Sequence, residues 1–276
     1  MGVLEVKMPL IDTHAHVCFS VYDSDREEVL LRAFNEGIKK LIHPCCNLEE
    51  LEILIDLAKK YQGDNCIKIF SAIGVHPTEF SSWKQSATEF IEMALNNPEK
   101  KKYIKAIGEA GLDYYHVSSI DDQKIQKEIF IQQILIAKKY NLPLIVHTRD
   151  AWQDTLDILQ EYYPCNKNAD SGVLHCYTGD LEFAQKAIEI GFYISWSGVL
   201  TYNKNSHFRE IAGKLDLDRV LVETDSPFLA PQQFRGKRNE PSYVRFVAEA
   251  LAQCYALRYE QIAEISTKNA ERLFKI

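Results

Sequence analysis

Two histidines stand one residue apart near the start of the sequence, in the segment LIDTHAH at 10–16. A β-strand repeats every two residues, so Leu10, Asp12, His14 and His16 are expected on one face of a strand. Imidazoles at this spacing, at the end of a buried strand, can hold one divalent cation. The pair alone is a weak signal, because a histidine at a strand end more often forms hydrogen bonds within the core. The rest of the chain must therefore provide further ligands.

Ligand-type residues recur where five later strands are predicted to end. These residues are His76, Glu109, His147, His175 and Asp225. Each has a plainer explanation on its own, such as a helix N-cap or a hydrogen-bonded core residue. Six strand ends that carry such residues together indicate a metal site.

The ligand types narrow the choice of metal. Four histidines and two carboxylates, without a thiolate, suit Zn²⁺, Mn²⁺, Co²⁺, Fe²⁺ or Mg²⁺. Six ligands exceed one tetrahedral site, so we predict two divalent cations that share Glu109, because each of its oxygens can take one ion. The expected ligand sets are His14, His16 and Asp225 for one ion, and His147 with His175 for the other.

The predicted charge of this cluster indicates an anionic substrate. Two divalent ions against two carboxylates leave about +2 in a chain whose formal net charge is −7. The overall charge excludes non-specific polyanion binding through the field of the whole protein. Two-metal sites hold the attacking and leaving oxygens in phosphoester hydrolysis, so a substrate phosphate is the group expected to bind here. Asp225 would then be the general base, and the chain has no GxSxG motif for acyl-enzyme chemistry.

Two further carboxylates are expected beneath the ligands. By strand alternation, Asp12 should face the same way as His14, and Glu223 the same way as Asp225. Interior carboxylates at such positions orient metal-bound imidazoles through the nitrogen that does not bind metal. The alternative is a buried pair neutralised by an interior cation, for which Lys105 is available.

Other residues are candidates for contact with substrate phosphate. His76 and Arg149 are expected to stabilise a negative phosphorane, although Arg149 could equally pair with a structural aspartate. Arg235 and Lys237 lie in a loop after the eighth predicted strand, where barrel enzymes often hold phosphate. A solvated basic loop is the alternative. The histidines without ligand-type neighbours are interpreted as ordinary polar residues; they are His43, His116 and His207.

Short apolar segments alternate with amphipathic stretches along the whole chain. Strands are predicted at 8–13, 40–45, 67–75, 103–109, 142–147, 172–176, 192–197 and 219–224. Helices are predicted at 24–36, 49–61, 87–96, 121–140, 151–162, 181–190, 208–214, 241–255 and 260–274. Eight strand–helix units without a break in composition predict an α/β fold, a (β/α)₈ TIM-type barrel forming one domain over 1–276. A doubly wound open sheet is the alternative, against which the absence of GxGxxG and GKS/GKT motifs counts.

Particular residues are expected to begin or end these helices. Asp150 and Asp180 stand where N-caps belong, immediately before two of the predicted helices. Gly37 and Gly191 stand where helices should end. The lysines at 100–102 are interpreted as a solvated approach to the fourth strand.

The composition indicates a globular protein of the cytoplasm. Hydrophobic residues make up 46% and charged residues 26% of 276 residues, and no apolar run is long enough for a transmembrane helix. The segment Met1–Lys7 lacks an apolar signal core, which makes the cytoplasm the expected location. The seven cysteines form no CxxC motif and are interpreted as reduced thiols.

The ordered motifs of the chain resemble those of TatD-type metal-dependent DNases, in particular the YcfH-like branch. The motifs that carry the resemblance are LIDTHAH at 10–16, AIGVHP at 72–77, AIGEAGLDYY at 106–115, LIVHTRDA at 144–151, VLHCYTG at 173–179, GFYISWSG at 191–198, VLVETDSPFLAP at 220–231 and RGKRNEP at 235–241. The resemblance covers essentially the full length of the chain. It implies a barrel of the amidohydrolase-related superfamily with a binuclear divalent centre.

The resemblance also implies a substrate and a set of site residues. It implies hydrolysis of DNA phosphodiesters, often as a 3′-to-5′ exonuclease on single strands. The ligand positions of the family fall on the six residues named above, and its additional active-site histidine matches His76. The chain departs from the family at Cys18, where an acidic residue or Asn is common, and at Thr78, where another His is common. These departures concern substrate preference, because neither residue is a ligand.

Two other functions remain open at this point. One is hydrolysis of a small-molecule ester, lactone or amide with the same metals. Against it, binuclear amidohydrolases commonly bridge through a modified lysine at the fourth strand, where this chain has Glu109. The other is a non-catalytic protein that retains the metal site, against which the complete ligand set counts. No membrane partner is expected, and a closed barrel without exposed sheet edges is compatible with a monomer.

Overall fold

The computed structural model describes residues 8–276 and contains an eight-stranded parallel barrel with helices between the strands. The expectation about the segment Met1–Lys7 lies outside the described residues. The strands are β1 (Leu10–Asp12), β2 (Ile38–Pro44), β3 (Lys68–Ile73), β4 (Ile104–Asp113), β5 (Leu144–Arg149), β6 (Gly172–Leu174), β7 (Phe192–Trp196) and β8 (Val220–Val222). They pair in chain order. The prediction of a (β/α)₈ barrel is therefore confirmed, and the open doubly wound alternative is wrong.

The two ends of the sheet meet beside the carboxyl ends of β1 and β8. The backbone N–H of Thr13 donates to Val222 O at 3.3 Å. One step further along, Ala15 and Ser226 form an isolated parallel bridge. These contacts bring the segment after β1 and the segment after β8 side by side, which places the first and last predicted ligands in contact.

The helices agree closely with the predicted ones. They are α1 (Arg26–Asn35), α2 (Leu51–Lys60), α3 (Ala87–Asn96), α4 (Pro98–Lys101), α5 (Ile120–Tyr140), α6 (Trp152–Tyr162), α7 (Leu181–Glu189), α8 (Ser206–Ala212), α9 (Val244–Cys254) and α10 (Tyr259–Phe274). The short helix α4 falls where a solvated approach was expected. Asn97 caps it by accepting from Glu99 N, and Pro98 occupies its first turn, which are both ordinary start signals.

Helix ends follow the predictions except at one aspartate. Asp180 caps α7 by accepting from Phe183 N at 2.7 Å. Gly37 and Gly191 follow their helices with φ values of 95° and 88°, in the left-handed region that suits glycine. The prediction for Asp150 is wrong, because its own φ is 53° and α6 begins at Trp152, one residue later than predicted, with Ala151 at the N-cap position.

Side chains from every strand fill the barrel. An inner layer contains one buried residue from each strand: Ile11, Ile42, Ala72, Ala106, Ile145, Val173, Tyr193 and Leu221. The same cluster includes three residues from the end of α10, namely Ala270, Leu273 and Phe274. A separate and larger cluster lies between the strands and the surrounding helices. The interior is thus a packed core, and open space for chemistry is left at the ends of the strands.

Among residues 8–276, no helix is both long enough and apolar enough to span a membrane.

Candidate metal centre

The six predicted ligands meet at the carboxyl ends of the barrel strands. They come from the segments after β1, β6 and β8 and from within β4 and β5: His14, His16, Glu109, His147, His175 and Asp225. His147 and Asp225 are partly exposed, whereas the other four side chains are buried. The two oxygens of the Glu109 carboxylate divide the remaining ligands into two groups.

One group surrounds Glu109 Oε2. His14 Nε2 lies 3.3 Å and His16 Nε2 3.9 Å from this oxygen. The two ring nitrogens are 3.1 Å from each other. Asp225 Oδ1 completes the group, at 3.8 Å from His14 Nε2 and 3.7 Å from His16 Nε2. Two imidazole nitrogens and two carboxylate oxygens therefore face one point.

The other group surrounds Glu109 Oε1. His175 Nε2 lies 2.7 Å and His147 Nδ1 2.9 Å from this oxygen. The two ring nitrogens are 3.3 Å apart. His76 Nε2 lies 3.3 Å from the same oxygen and 3.3 Å from His147 Nδ1. Two separate sets of donors thus share a single carboxylate.

Strand alternation places the histidine within β5 and the histidines that follow β3 and β6. Ile145 and Val173 belong to the inner layer, and His147 and His175 follow two residues later on the same side. His76 lies four residues beyond Ala72 of the same layer, also on that side. For these three residues, the periodicity of the sequence is sufficient to place the side chain.

Alternation does not place the ligands of β1 and β4. The expectation that Leu10 shares a face with His14 is wrong, because Leu10 packs in the cluster against the helices. β1 ends at Asp12, and His14 and His16 are held instead by bonds to the segment after β8. His14 O accepts from Asp225 N at 2.9 Å, and His16 N donates to Ser226 O at 2.7 Å.

Glu109 reaches the site through an irregularity in strand pairing. Ala106 belongs to the inner layer, so regular alternation would turn residue 109 outward. The register between β4 and β5 shifts between Ile107 and Ala110. A local irregularity of this kind redirects a side chain, as β-bulges beside active sites do. It also removes the basis for expecting Lys105 inside the barrel; its ammonium lies 5.3 Å from the Phe70 ring centre.

Glu223 lies beneath two of the ligand rings. The rings of His14 and His175 stack at 4.0 Å with 12° between their planes. Glu223 Oε1 is 3.4 Å from His175 Nδ1 and accepts from Cys176 N at 2.7 Å. His14, His175 and Glu223 each offer one potential ligand atom to a single compact group. This is the position expected for a carboxylate that orients imidazoles.

Asp12 occupies a different position from the expected one. Its carboxylate accepts from Thr224 N at 2.9 Å and from Thr224 Oγ1 at 2.6 Å. It contacts His14 through the backbone N–H, at 3.3 Å, rather than through the ring. The role predicted for Asp12 in orienting an imidazole is therefore corrected: it ties the segment after β1 to the segment after β8. Burial raises the pKa of Asp12 to about 8.

Sequence reasoning missed the role of Asp113. Its Oδ2 lies 3.2 Å from His147 Nε2 and 2.8 Å from His116 Nδ1. Asp113 therefore contacts the nitrogen of His147 that faces away from Glu109. The signal was available, because Asp113 follows Glu109 by four residues in one strand and shares its face. His116, interpreted as an ordinary polar residue, contacts this aspartate and leaves half its side chain exposed.

Two buried glutamines on α5 hold the loops that carry these groups. Gln133 accepts from Val75 N at 2.9 Å and donates to Val75 O at 3.1 Å. Gln126 accepts from Asp113 N at 3.0 Å and donates to Pro77 O at 2.9 Å. They are seven residues apart, which is two helical turns, so both face the barrel.

His76 is held in one orientation by its neighbour Thr78. The backbone N–H of Thr78 donates to His76 Nδ1 at 3.1 Å. Nδ1 must then be the acceptor, so the neutral ring carries its proton on Nε2, the atom that faces Glu109. A metal ligand needs a free lone pair at that atom. The geometry therefore favours a hydrogen-bond donor at His76, even though its Nε2 lies among the donors of the second group.

The predicted phosphate contacts lie at the rim. Arg149 is exposed at the end of β5, with its guanidinium carbon 4.0 Å from the Tyr115 ring centre. Arg235 is exposed and lies 4.9 Å from the Tyr202 ring centre. Lys237 is exposed as well. Within residues 8–276, none of the three has a hydrogen bond or ion pair to the six ligands, so they are not part of the cluster.

His43 lies close to the site, but both of its ring nitrogens have hydrogen-bond partners. Its Nε2 accepts from Cys18 N at 3.0 Å, and its Nδ1 lies 3.0 Å from Pro44 O. Burial lowers its pKa to about 3. Both nitrogens are used, so the interpretation as a polar core residue fits its surroundings. His207 packs against the Phe208 ring, with the two ring centres 3.9 Å apart.

The donor set fits divalent cations. Burial, assisted by His14, lowers the pKa of His16 well below its ordinary value, which leaves a neutral imidazole ready to bind metal. Burial opposes ionisation of Glu109, but His175 and His76 with the other rings bring its pKa well below its usual value. Burial raises the pKa of Asp225 to about 6.

The charges around His175 support the same conclusion. Burial alone would lower its pKa, but the carboxylates of Glu109 and Glu223 raise it well above the ordinary value. The two carboxylates thus place negative charge on both sides of this ring, and a divalent cation would neutralise that charge in place of the ring proton. Among residues 8–276, the buried Nδ1 atom of His14 has no hydrogen-bond partner.

Comparison with known proteins identifies the family. The sequence model of the TatD-related DNase family matches residues 11–275 of this chain. The chain belongs to the TatD-related DNase family. The resemblance seen in the sequence motifs is therefore confirmed.

Relatives of this TatD-family protein are similar over nearly their whole length. The metal-dependent hydrolase YabD of Bacillus subtilis is 40% identical over 267 residues, which cover 97% of this chain and 99% of YabD. The metal-dependent hydrolase YcfH of Escherichia coli is 40% identical over 273 residues, covering 98% and 97% of the two chains. The crystal structure of YjjV, a TatD homologue from Escherichia coli, superposes with a TM-score of 0.86 at 29% identity, covering 97% and 98%. The chain is a metal-dependent hydrolase of the TatD family.

Proposed function

We propose that this TatD-family hydrolase cleaves phosphodiester bonds of DNA with two divalent cations. The division of donors about Glu109 carries the proposal, because each oxygen of one carboxylate faces a separate set of ligand atoms. His14, His16 and Asp225 would hold one cation, His147 and His175 the other, and Glu109 would join them. The metal is Zn²⁺, Mn²⁺, Mg²⁺, Co²⁺ or Fe²⁺, given a donor set without sulfur.

The chain's own residues would then bind the phosphate and move a proton. Two bound cations supply Lewis acidity for the scissile phosphate and lower the pKa of a water. The Asp225 carboxylate, at the open edge of the cluster, takes the proton of the attacking water. His76 donates its Nε2 proton in a hydrogen bond to the phosphate oxygen that gains charge. Asp113 and Glu223 keep the His147 and His175 rings in place.

Two observations support DNA as the substrate. A mouse relative provisionally named deoxyribonuclease TATDN3 is 30% identical over 271 residues, covering 96% of this chain. Three exposed cations stand near the rim, at Arg149, Arg235 and Lys237, where the phosphates of neighbouring nucleotides would lie. A single-stranded 3′ end is the form of DNA that we propose, with cleavage in the 3′-to-5′ direction.

The test is a metal-dependent cleavage assay. Protein stripped with EDTA is resupplied with Mn²⁺, Mg²⁺ or Zn²⁺ and incubated with end-labelled single-stranded DNA. We expect a ladder of shortened products that requires metal, and strands labelled at either end reveal the direction. Glu109→Ala should abolish cleavage and lower the bound metal measured by elemental analysis. Glu161→Ala, which removes an exposed glutamate, is the matched control and should retain activity.

An intact strand with every metal would reject the nuclease proposal. Small phosphoesters, lactones and amides would then be offered to the same protein, since the ligand set is equally suited to them. Full cleavage by Glu109→Ala would instead reject the assignment of the site.

A further inference from the structure

A cavity of about 630 Å³ opens beside His16, outside the cluster of ligands. Segments after β1 and β8 form most of its wall. Its lining includes Cys18, Phe19, Val21, Glu50, Phe228 and Arg238. Its volume is in the range of small-molecule sites in proteins. No residue proposed for the hydrolysis itself lines it, so the cavity calls for a separate explanation.

Two aromatic rings connect this cavity to the metal centre. The Phe19 ring stacks on the His16 ring, with 4.8 Å between centres and 24° between planes. The Phe228 ring meets Phe19 edge to face, with 6.1 Å between centres. Phe228 is 52% exposed although a buried core is close by. Phe228, Phe19 and Val21 together form an apolar wall, and a contiguous apolar patch of this kind beside a reaction centre marks a surface that a ligand covers.

The charges of the wall favour a neutral ring over a second phosphate. The Arg238 guanidinium donates to Val21 O and to both carboxylate oxygens of Asp25, which neutralises its charge. Glu50 provides a carboxylate; its Oε2 accepts from Cys46 N at 2.8 Å and has lone pairs to spare. An anion would be repelled by Glu50, whereas a flat heterocycle with N–H groups can stack and donate.

We infer that this cavity binds a nucleobase, that of a nucleoside joined to the phosphate at the metal centre. The inference rests on the proposed function and adds a part to it: Phe228 and Phe19 form a stacking surface. Every base has an aromatic face, so such a surface accepts any sequence. It selects nucleotides over phosphoesters without a ring, and the metal centre alone cannot make that distinction.

The first test measures binding, so that it does not depend on cleavage. Manganese-loaded protein is titrated by calorimetry with thymidine 5′-monophosphate and with 2-deoxyribose 5-phosphate. We expect the nucleotide to bind about 10-fold more tightly, within the range of one base–aromatic stack. Phe228→Ala should remove this preference and Phe228→Tyr should retain it. Phe90→Ala, which removes a partly exposed phenylalanine of α3, is the matched control and should keep the preference.

The second test compares single strands that carry an abasic nucleotide on one side of the scissile phosphate or on the other. One of the two should be cleaved about 10-fold less efficiently in kcat/KM than the intact strand, and Phe228→Ala should narrow that ratio. A variant that is merely misfolded would lower all strands equally and leave the ratio unchanged.

The outcomes separate this inference from the proposed function. Cleavage of DNA without any dependence on the base would overturn the base site and leave the nuclease proposal standing. Preference for the nucleotide without cleavage would support the base site and reject the nuclease proposal. Equal affinity for phenyl phosphate and thymidine monophosphate would overturn the assignment of a base in favour of any aromatic ring.

Discussion

Asp113 Oδ2 lies 3.2 Å from His147 Nε2, so the carboxylate contacts the nitrogen that faces away from Glu109. Burial disfavours the charge of Asp113, but hydrogen bonds from His147 and His116 hold its pKa below the usual range. An ionised carboxylate at this place fixes the proton of His147 on Nε2 and leaves Nδ1 free. The same arrangement supports ligand histidines in many metal sites.

Removing this carboxylate should weaken metal binding without removing a ligand. Asp113→Ala is expected to lower metal affinity by about 10–100-fold, because the ring loses its fixed orientation. Calorimetric titration of metal-stripped protein with Mn²⁺ measures the change. Asp121→Ala, at an exposed position of α5, is the control. Unchanged affinity in a folded Asp113→Ala protein would show that packing alone orients His147.

Metal should stabilise the fold through Glu109. A ligand at 100 times its dissociation constant adds about 2.7 kcal/mol to the free energy of unfolding. For a domain of this size, that gain corresponds to a rise of roughly 5–10 °C in Tm. Differential scanning calorimetry of stripped protein with and without Mn²⁺ should record this rise, and Glu109→Ala should lose most of it. An equal rise in both proteins would place the stabilising cation elsewhere.

Substitution of His76 tests whether this residue donates a hydrogen bond to the substrate or coordinates a metal ion. The hydrogen bond from Thr78 N places the ring proton on Nε2, so His76→Ala should leave the metal content unchanged while lowering kcat by about 10²–10³-fold. His76→Gln, whose amide can donate, should recover part of the rate. Elemental analysis and steady-state kinetics on the same preparations measure both quantities. Loss of a metal ion from His76→Ala would make this residue a ligand.

The inner layer should dominate stability. Ile145 is fully buried between neighbouring strands of the layer, and Ile145→Ala is expected to lower the free energy of unfolding by about 2–5 kcal/mol. Ile53 is 63% exposed on α2, so Ile53→Ala should change it by no more than about 0.5 kcal/mol. Urea unfolding followed by circular dichroism compares the two. Similar losses would mean that the layer is not tightly packed.

The sequence was sufficient for the fold because the alternation of strands and helices is regular and local. The sequence was also sufficient to predict that the six ligand residues lie together, because the carboxyl ends of parallel strands lie at one end of a barrel. The same period of two agrees with the orientation of His147 and His175 in the structure, since each follows an inner-layer residue by two positions. These inferences need only a period of two and a topology.

The other side-chain positions in the site depend on local irregularities of the backbone, which the periodicity of the sequence does not reveal. Glu109 turns inward through a shift of register between two strands, which no single strand pattern reveals. The expected role of Asp12 was wrong because β1 ends at that residue and alternation stops there. Asp150 and Asp180 have the same residue type before a helix, yet only Asp180 caps one, because the backbone at Asp150 is left-handed. Such differences arise from tertiary contacts.

The placement of α10 has a consequence for biosynthesis. Ala270, Leu273 and Phe274 pack against the inner layer, although the strands that form this layer lie earlier in the chain. A ribosome delivers residues 259–274 after all eight strands, and β1 must also wait for β8 before the sheet can close. The nascent barrel therefore carries an uncovered apolar layer throughout its translation. The native barrel can close only after α10 has emerged from the ribosome. Until then, the chain stays soluble only if aggregation is slow or if chaperones cover the exposed apolar layer.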